Sequence, residues 1–253
     1  MTILFLVNGI GFVLSGISEI FIRYTHKKQE TPAKFSSDFQ DGFRFIIGQK
    51  GIALLCLFLM AVYTLVMPLF SVVLPLFFRT ALDYPDVQYG VLQTVFIMGM
   101  FIGSIFTGLL FGKAGRENKA IVLGLFLLTG ATFSFAVMTL PEILNLLGRD
   151  SAQYFWMLAS VLGLLSVAVM FIAVPSQTVI QKLTPANYMS RVFSIVGMIT
   201  RGGLPIGALV YGLLLERTEV SSAALAASAL LMLTAVAFWV LSVRRQGAFV
   251  SEQ

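Results

Sequence analysis

Charge, cysteine and histidine are all scarce in this sequence. Of its 253 residues only 11% are charged, and it has one cysteine, Cys56, and one histidine, His26. A single thiol forms no intrachain disulfide, and one cysteine with one histidine supplies no metal-ligand framework. Cys56 lies inside an apolar run, where a free cysteine behaves as a small hydrophobe. His26 lies in a polar stretch and reads as an exposed linker residue rather than a ligand. Ser160, Ser166 and Ser194 therefore have no histidine to activate them, and Glu19 is the sole acid inside an apolar run, so the chain does not read as an enzyme. No cofactor is implied.

Long apolar runs are present instead. Hydrophobic residues make up 58% of the chain, and the mean hydropathy is +0.91, well outside the range of soluble domains. Runs with little or no charge lie at about 2–22, 52–78, 88–112, 120–141, 154–180, 192–215 and 220–243. At 1.5 Å per residue each crosses a hydrocarbon core of about 30 Å as a helix. These runs are apolar on every face, whereas barrel strands alternate in polarity over about ten residues. The expected fold class is an all-α membrane protein with seven transmembrane helices. The run 154–180 exceeds one crossing but is too short for two helices and a turn, so it counts once.

Basic residues alternate between loops, as the positive-inside rule predicts. Arg23, Lys27, Lys28, Lys34, Arg44 and Lys50 follow span one; Lys113, Arg116 and Lys119 follow span three; Lys182 and Arg191 follow span five; Arg244 and Arg245 end the chain. That side is expected to be cytoplasmic, with the C-terminus inside. The pI near 9.5 thus reports topology, because the basic residues form no patch interleaved with aromatics for nucleic acid. Met1 opens almost directly into apolar sequence, without a basic n-region or a small-x-small cleavage site, so a signal peptide is disfavoured. The expected reading is that the chain starts mid-protein, on a helix descending from the outside.

The longest polar stretch runs from Arg23 to Lys50, and its second part places Phe35, Phe39, Phe43 and Ile46 at helical spacing opposite Asp38, Asp41 and Arg44. An amphipathic helix on the membrane surface fits this pattern. The expected division is a helix over 1–24, a cytoplasmic amphipathic linker over 25–50, a six-helix bundle over 51–243 and a cytoplasmic tail over 244–253.

Three stretches carry a family resemblance: FSSDFQDGFRFI from Phe35, YGVLQTVFIMGMFIGSIFTGLLFGKAGR from Tyr89, and SRVFSIVGMITRGGLPIG from Ser190. With one span, a long linker and six more spans, the chain resembles the C-terminal half of a major facilitator superfamily transporter, in the branch of macrolide-efflux proteins and the enterobactin exporter. Span one would be the sixth helix of twelve. The loop Gly108 to Arg116 is similar to the superfamily signature G-x-x-x-D-[RK]-x-G-[RK]. Gly108, Lys113, Gly115 and Arg116 match, while Gly112 stands where the signature has aspartate, which puts its gating charge network in doubt. The resemblance implies proton-driven antiport of small amphipathic molecules, drug-like or siderophore-like, in the bacterial cytoplasmic membrane. It also implies partners: the lipid bilayer, the substrate, protons, and a missing N-terminal half without which the chain is a partial transporter. The alternative is a seven-helix receptor-like or otherwise non-transporting membrane protein. Residues 220–243 hold no lysine for a retinal Schiff base.

Several residues are candidates for the translocation path. Arg201, framed by Gly202, Gly203 and Pro205, costs about 2.5–3.5 kcal/mol at a helix centre on insertion scales. It lies about 13 Å from the expected start of its span, in the inner half. Two readings stand: snorkelling or pairing with nearby carbonyls, and facing a wet cavity where it binds an anion or a carboxylate. Span six reads as an interrupted helix. Tyr63, Thr64, Ser71, Gln93 and Thr94 are polar residues that could line a path, and Pro68 and Pro75 predict a bent span two. Gly99, Gly103, Gly108 and Gly112 lie near one face of span three, for static packing or for sliding between helices. Glu19 precedes Arg23 by four residues, so it is either an interfacial ion pair or a proton-coupling group.

Overall fold

The structure is a computed structural model that describes residues 2–21, 35–113, 115–149 and 151–245. Among the described residues every regular element is helical: α1 (Thr2–Ile20), α2 (Phe35–Gly48), α3 (Lys50–Pro68), α4 (Leu74–Phe77), α5 (Asp86–Phe111), α6 (Glu117–Met138), α7 (Pro141–Leu147), α8 (Ala152–Leu183), α9 (Met189–Leu215) and α10 (Val220–Arg245). Two π-turns, Leu69–Val73 and Phe78–Leu82, join α3 and α4 into one rod over Lys50–Leu82.

The chain forms two units, Met1–Ser37 and Asp38–Gln253. The first contains α1, whose apolar part Phe5–Ile20 is shorter than the six helices long and apolar enough to cross a membrane. Those six all lie in the second unit. Together they give the seven-helix, all-α membrane fold.

Within the second unit α8 packs against α5 and α6, α10 against α6 and α3, and α9 against α3. The run expected to cross once is a single helix of 32 residues, α8, rising about 48 Å. The distortion expected at Pro68 and Pro75 takes the form of the two π-turns, since a proline supplies no N–H to the carbonyl four residues earlier. Span six departs from its expected form: α9 continues through Pro205 without interruption.

The expected amphipathic linker helix is α2. From Asp38 onward, its Gly42 and Ile46 are buried, and a methyl at Gly42 would lie 2.7 Å from Ile195 Cδ1 and 3.1 Å from Arg191 Cβ. Phe45 stacks on Tyr188 at 5.0 Å, Arg191 lies over the Tyr188 ring at 5.8 Å, and Asp41 pairs with Arg191 at 4.0 Å. This helix is thereby fixed to the start of α9. The basic residues Arg23, Lys27, Lys28 and Lys34, with His26, lie outside the described residues.

Candidate substrate pathway

The site is built on α9, whose two faces differ in kind. One face carries Gly203, Gly207 and Tyr211, four residues apart and all buried, and it lies on α3. A methyl at Gly203 would stand 2.6 Å from Thr64 Oγ1 and 2.9 Å from the Met60 carbonyl oxygen. One at Gly207 would overlap the Thr64 carbonyl oxygen and stand 2.7 Å from Pro68 Cγ. Pro68 denies that Thr64 carbonyl its usual N–H donor. One residue on, the Leu65 carbonyl accepts a hydrogen bond from the Tyr211 hydroxyl at 2.8 Å. The glycines therefore admit the α3 backbone closely where the proline disturbs it, and Tyr211 ties the two helices there. Thr64, a candidate path residue, sits under Gly203 and donates its hydroxyl to the Met60 carbonyl at 2.8 Å.

The other face of α9 carries Ser190, Ser194, Met198, Arg201 and Pro205, all exposed. Steps of three and four residues align them on one stripe. Arg201 has no hydrogen bond or ion pair among the described residues. Its position also differs from the expectation. Because α9 starts at Met189, in the segment read as loop, Arg201 is about 18 Å from one end and about 21 Å from the other. The arginine thus lies near the middle of its helix, still slightly closer to the start of α9. Pro205 has no N–H for the Arg201 carbonyl, so side chain and backbone at this residue both present polar groups in need of partners.

Tyr63 and Gln93 lie elsewhere, on α3 and α5, and the ring contact nearest to them joins the π-turn Leu69–Val73 to α5. In it Phe70 and Phe96 meet with ring centroids 4.3 Å apart. Tyr63 lies two turns before Phe70 and Gln93 one turn before Phe96, each half-buried. Gln93 Nε2 donates to the Tyr89 hydroxyl at 2.9 Å, and Tyr89 packs on Phe78 at 5.3 Å. Thr94 and Ser71 return their hydroxyls to carbonyls of their own helices, at 2.9 and 3.2 Å. Among the described residues no hydrogen bond or ring contact joins Tyr63, Gln93 and Arg201 to one another.

The glycines of α5 divide in the same way. A methyl at Gly99 would overlap Ser166 Oγ and stand 2.8 Å from the Gly163 carbonyl oxygen, and one at Gly103 would stand 2.8 Å from Val167 Cα. Both therefore face α8. Gly108 has nothing within 4 Å, and Gly112 faces only the Gly108 carbonyl of its own last turn.

In the loop that follows, Gly112 N donates to the Gly108 carbonyl at 2.9 Å. Gly115 takes φ +83°, a left-handed conformation that glycine adopts without strain. Arg116 Nη1 reaches the Leu110 carbonyl at 3.4 Å, capping α5. Lys113 is exposed. An acid is present nearby even though Gly112 replaces the signature aspartate: Glu117 opens α6 and forms an ion pair with Lys182 at the end of α8. Glu19, in α1, is exposed, and Arg23, its expected partner, lies outside the described residues.

A sequence profile of the Major Facilitator Superfamily matches residues 1–198 and again residues 69–251. The chain belongs to the Major Facilitator Superfamily. Among superfamily relatives, Macrolide efflux protein A of Streptococcus pyogenes is 26% identical over 221 residues, 85% of this chain and 50% of that protein. Macrolide efflux protein A of Enterococcus faecalis is 27% identical over 207 residues, 79% of this chain and 59% of the relative. Multidrug resistance protein fnx1 of Schizosaccharomyces pombe is 36% identical over 66 residues, 26% of this chain and 12% of the relative. The chain spans about half the length of the macrolide-efflux relatives it matches. No solved structure matches it.

Sequence reasoning missed the contact of Gly203, Gly207 and Tyr211 with α3. A signal existed: two glycines four residues apart in an apolar helix mark a close helix contact. Reading Gly203 as part of the arginine's surroundings hid it.

Proposed function

We propose that this chain forms the C-terminal part of a secondary transporter that exports small amphipathic molecules by alternating access. It works with a complementary N-terminal half in the bacterial cytoplasmic membrane, its C-terminus in the cytoplasm. The observation that carries the reading is the outward stripe of α9. A mid-helix arginine beside a carbonyl lacking its helical donor, on a stripe that also carries Ser190 and Ser194, is unsuited to lipid and suited to a wet cavity between two halves. In transporters of this architecture the substrate site lies at the interface of the repeats near the midplane. The Phe70–Phe96 contact supplies an apolar surface for an amphipathic body, and Tyr63, Thr64 and Gln93 are proposed polar points of the path. Glu19 is the proposed proton-coupling group, and the loop Gly108 to Arg116 with Glu117 and Lys182 the proposed gate.

Efflux of a fluorescent amphipathic dye from cells tests this reading. Cells expressing the chain together with an N-terminal half from a macrolide-efflux relative should extrude the dye faster than cells expressing either alone. Glu19→Gln in the pair should remove the dependence on the proton gradient. Undiminished export by Glu19→Gln would reject the coupling role, and no export by the pair would reject the transport reading.

A further inference from the structure

Resting on the transport reading, we infer that Arg201 fixes the charge of the substrate: the exported molecules are amphipaths carrying an anionic group, such as a carboxylate or a sulfonate.

The distribution of charge along the six long helices is the first ground. Every other charged residue in them lies within three residues of a helix end, as Lys50, Arg79, Asp86, Glu117 and Lys182 do. Arg201 alone is more than ten residues from both ends, and the interiors of these helices contain no Asp or Glu. The middle of this unit thus holds a single positive charge with no internal counterion. Neighbouring polar groups do not compensate for it. Thr64 and Thr200 donate to the carbonyls of their own helices, and Gln93 is committed to Tyr89.

Accessibility is the second ground. Arg201 is exposed on the face of α9 opposite Gly203, Gly207 and Tyr211, so the contact with α3 does not cover it. It lies about 18 Å from the nearer end of α9, so a snorkelling side chain would have to run along several turns of helix. A guanidinium offers five donors in a planar fork that matches a carboxylate or sulfonate bidentately. In a site of low dielectric the same charge repels a cationic amphipath. Anionic amphipaths are therefore favoured over neutral ones, and neutral ones over cations.

Binding to the chain paired with the N-terminal half of a macrolide-efflux relative, in phosphatidylcholine nanodiscs, tests the inference. The probes are three dansyl amphipaths of equal chain length ending in a carboxylate, a neutral amide or a trimethylammonium group, titrated by fluorescence. The carboxylate should bind roughly tenfold tighter than the amide, and the ammonium more weakly still. Arg201→Gln should abolish the preference for the carboxylate over the amide. Arg201→Glu should transfer it to the ammonium, and Arg201→Lys should retain it in weakened form. A carboxylate preference that survives in Arg201→Gln overturns the inference, as does equal binding of the three probes by the wild type. Adding phosphatidylglycerol separates the two sources of anion. A preserved preference supports a substrate site, and its loss assigns the position to a lipid headgroup and overturns the substrate class. Binding without charge preference removes only the anion and leaves transport standing, whereas no saturable binding of any probe removes both.

Discussion

Two contacts in this molecule use a pair of glycines four residues apart to bring helices together, and they differ in what lies beneath the glycine. On α5, Gly99 and Gly103 lie against Gly163, Ser166 and Val167 of α8, where both partners are regular helix. On α9, Gly203 and Gly207 lie against Met60, Thr64 and Pro68 of α3, immediately before the π-turn Leu69–Val73. Lipid supplies no hydrophobic drive between helices, so close backbone approach stabilises both contacts through packing. Only the second also borders a carbonyl that a proline has deprived of its donor, with a tyrosine hydroxyl bonded to the next carbonyl. The first contact has the form of a fixed seam. The second holds a distorted helix beside the helix that carries Arg201, and there packing and transport meet.

Methyl insertion should have the largest effect and rank the two contacts. At Gly207 the nearest atom is the Thr64 carbonyl oxygen, a backbone atom that cannot move aside. Overpacking typically costs about 1–3 kcal/mol, and Gly207→Ala should fall at the upper end, seen as a lowered Tm in detergent. Gly103→Ala meets Val167 Cα at 2.8 Å and should cost somewhat less. Gly99→Ala meets the Ser166 hydroxyl, which can rotate, but also the Gly163 carbonyl oxygen at 2.8 Å, and should cost about as much as Gly103→Ala. A Gly207→Ala protein as stable as the wild type would break the comparison, because it would mean that the α3 contact is not closely packed.

Removing a single hydroxyl should have a smaller effect that sharpens the same contrast. Tyr211 bonds the Leu65 carbonyl beside the π-turn, and Tyr154 bonds the Met138 carbonyl at the end of α6, both at 2.8 Å. Interhelical hydrogen bonds in membranes are worth roughly 0.6–1.7 kcal/mol, so Tyr211→Phe and Tyr154→Phe should lower Tm comparably. Dye efflux by the paired halves should fall in Tyr211→Phe and stay at the wild-type rate in Tyr154→Phe. Equal efflux in the two variants would reduce the α3 contact to packing.

Much of the fold was legible because hydropathy and length report the element directly in a membrane. A run of twenty apolar residues has no other stable form there, so the helices and their order follow from composition. The amphipathic spacing of Phe39, Phe43 and Ile46 likewise predicts α2. Helix ends were less legible. Tyr188 and Met189 border a polar loop, yet α9 begins there, and those extra residues place Arg201 about 18 Å rather than about 13 Å from the start of its helix. The apparent break at Pro205 failed for a related reason: a proline costs one hydrogen bond, which does not end a helix packed along its length. Least legible was the partner of each glycine. The spacing of Gly99, Gly103, Gly108 and Gly112 is nearly uniform, but α8 crosses only the first two, and no local pattern records where a crossing lies.

The smallest expected effect is at Gly108. No atom lies within 4 Å of a methyl built there, and the residue is exposed near the end of α5. Alanine is favoured over glycine in a helix interior by about 0.8–1.0 kcal/mol in water, so Gly108→Ala should leave Tm unchanged or raise it slightly. That outcome would show that a glycine on this face matters only where a helix lies against it. Efflux by the paired halves adds the decisive arm. If Gly108→Ala preserves Tm but abolishes efflux, the bare glycine is needed by something that approaches α5 from outside this chain. The smooth face would then continue past α8 onto the complementary half, and Gly99 and Gly103 would be the static end of a surface that slides.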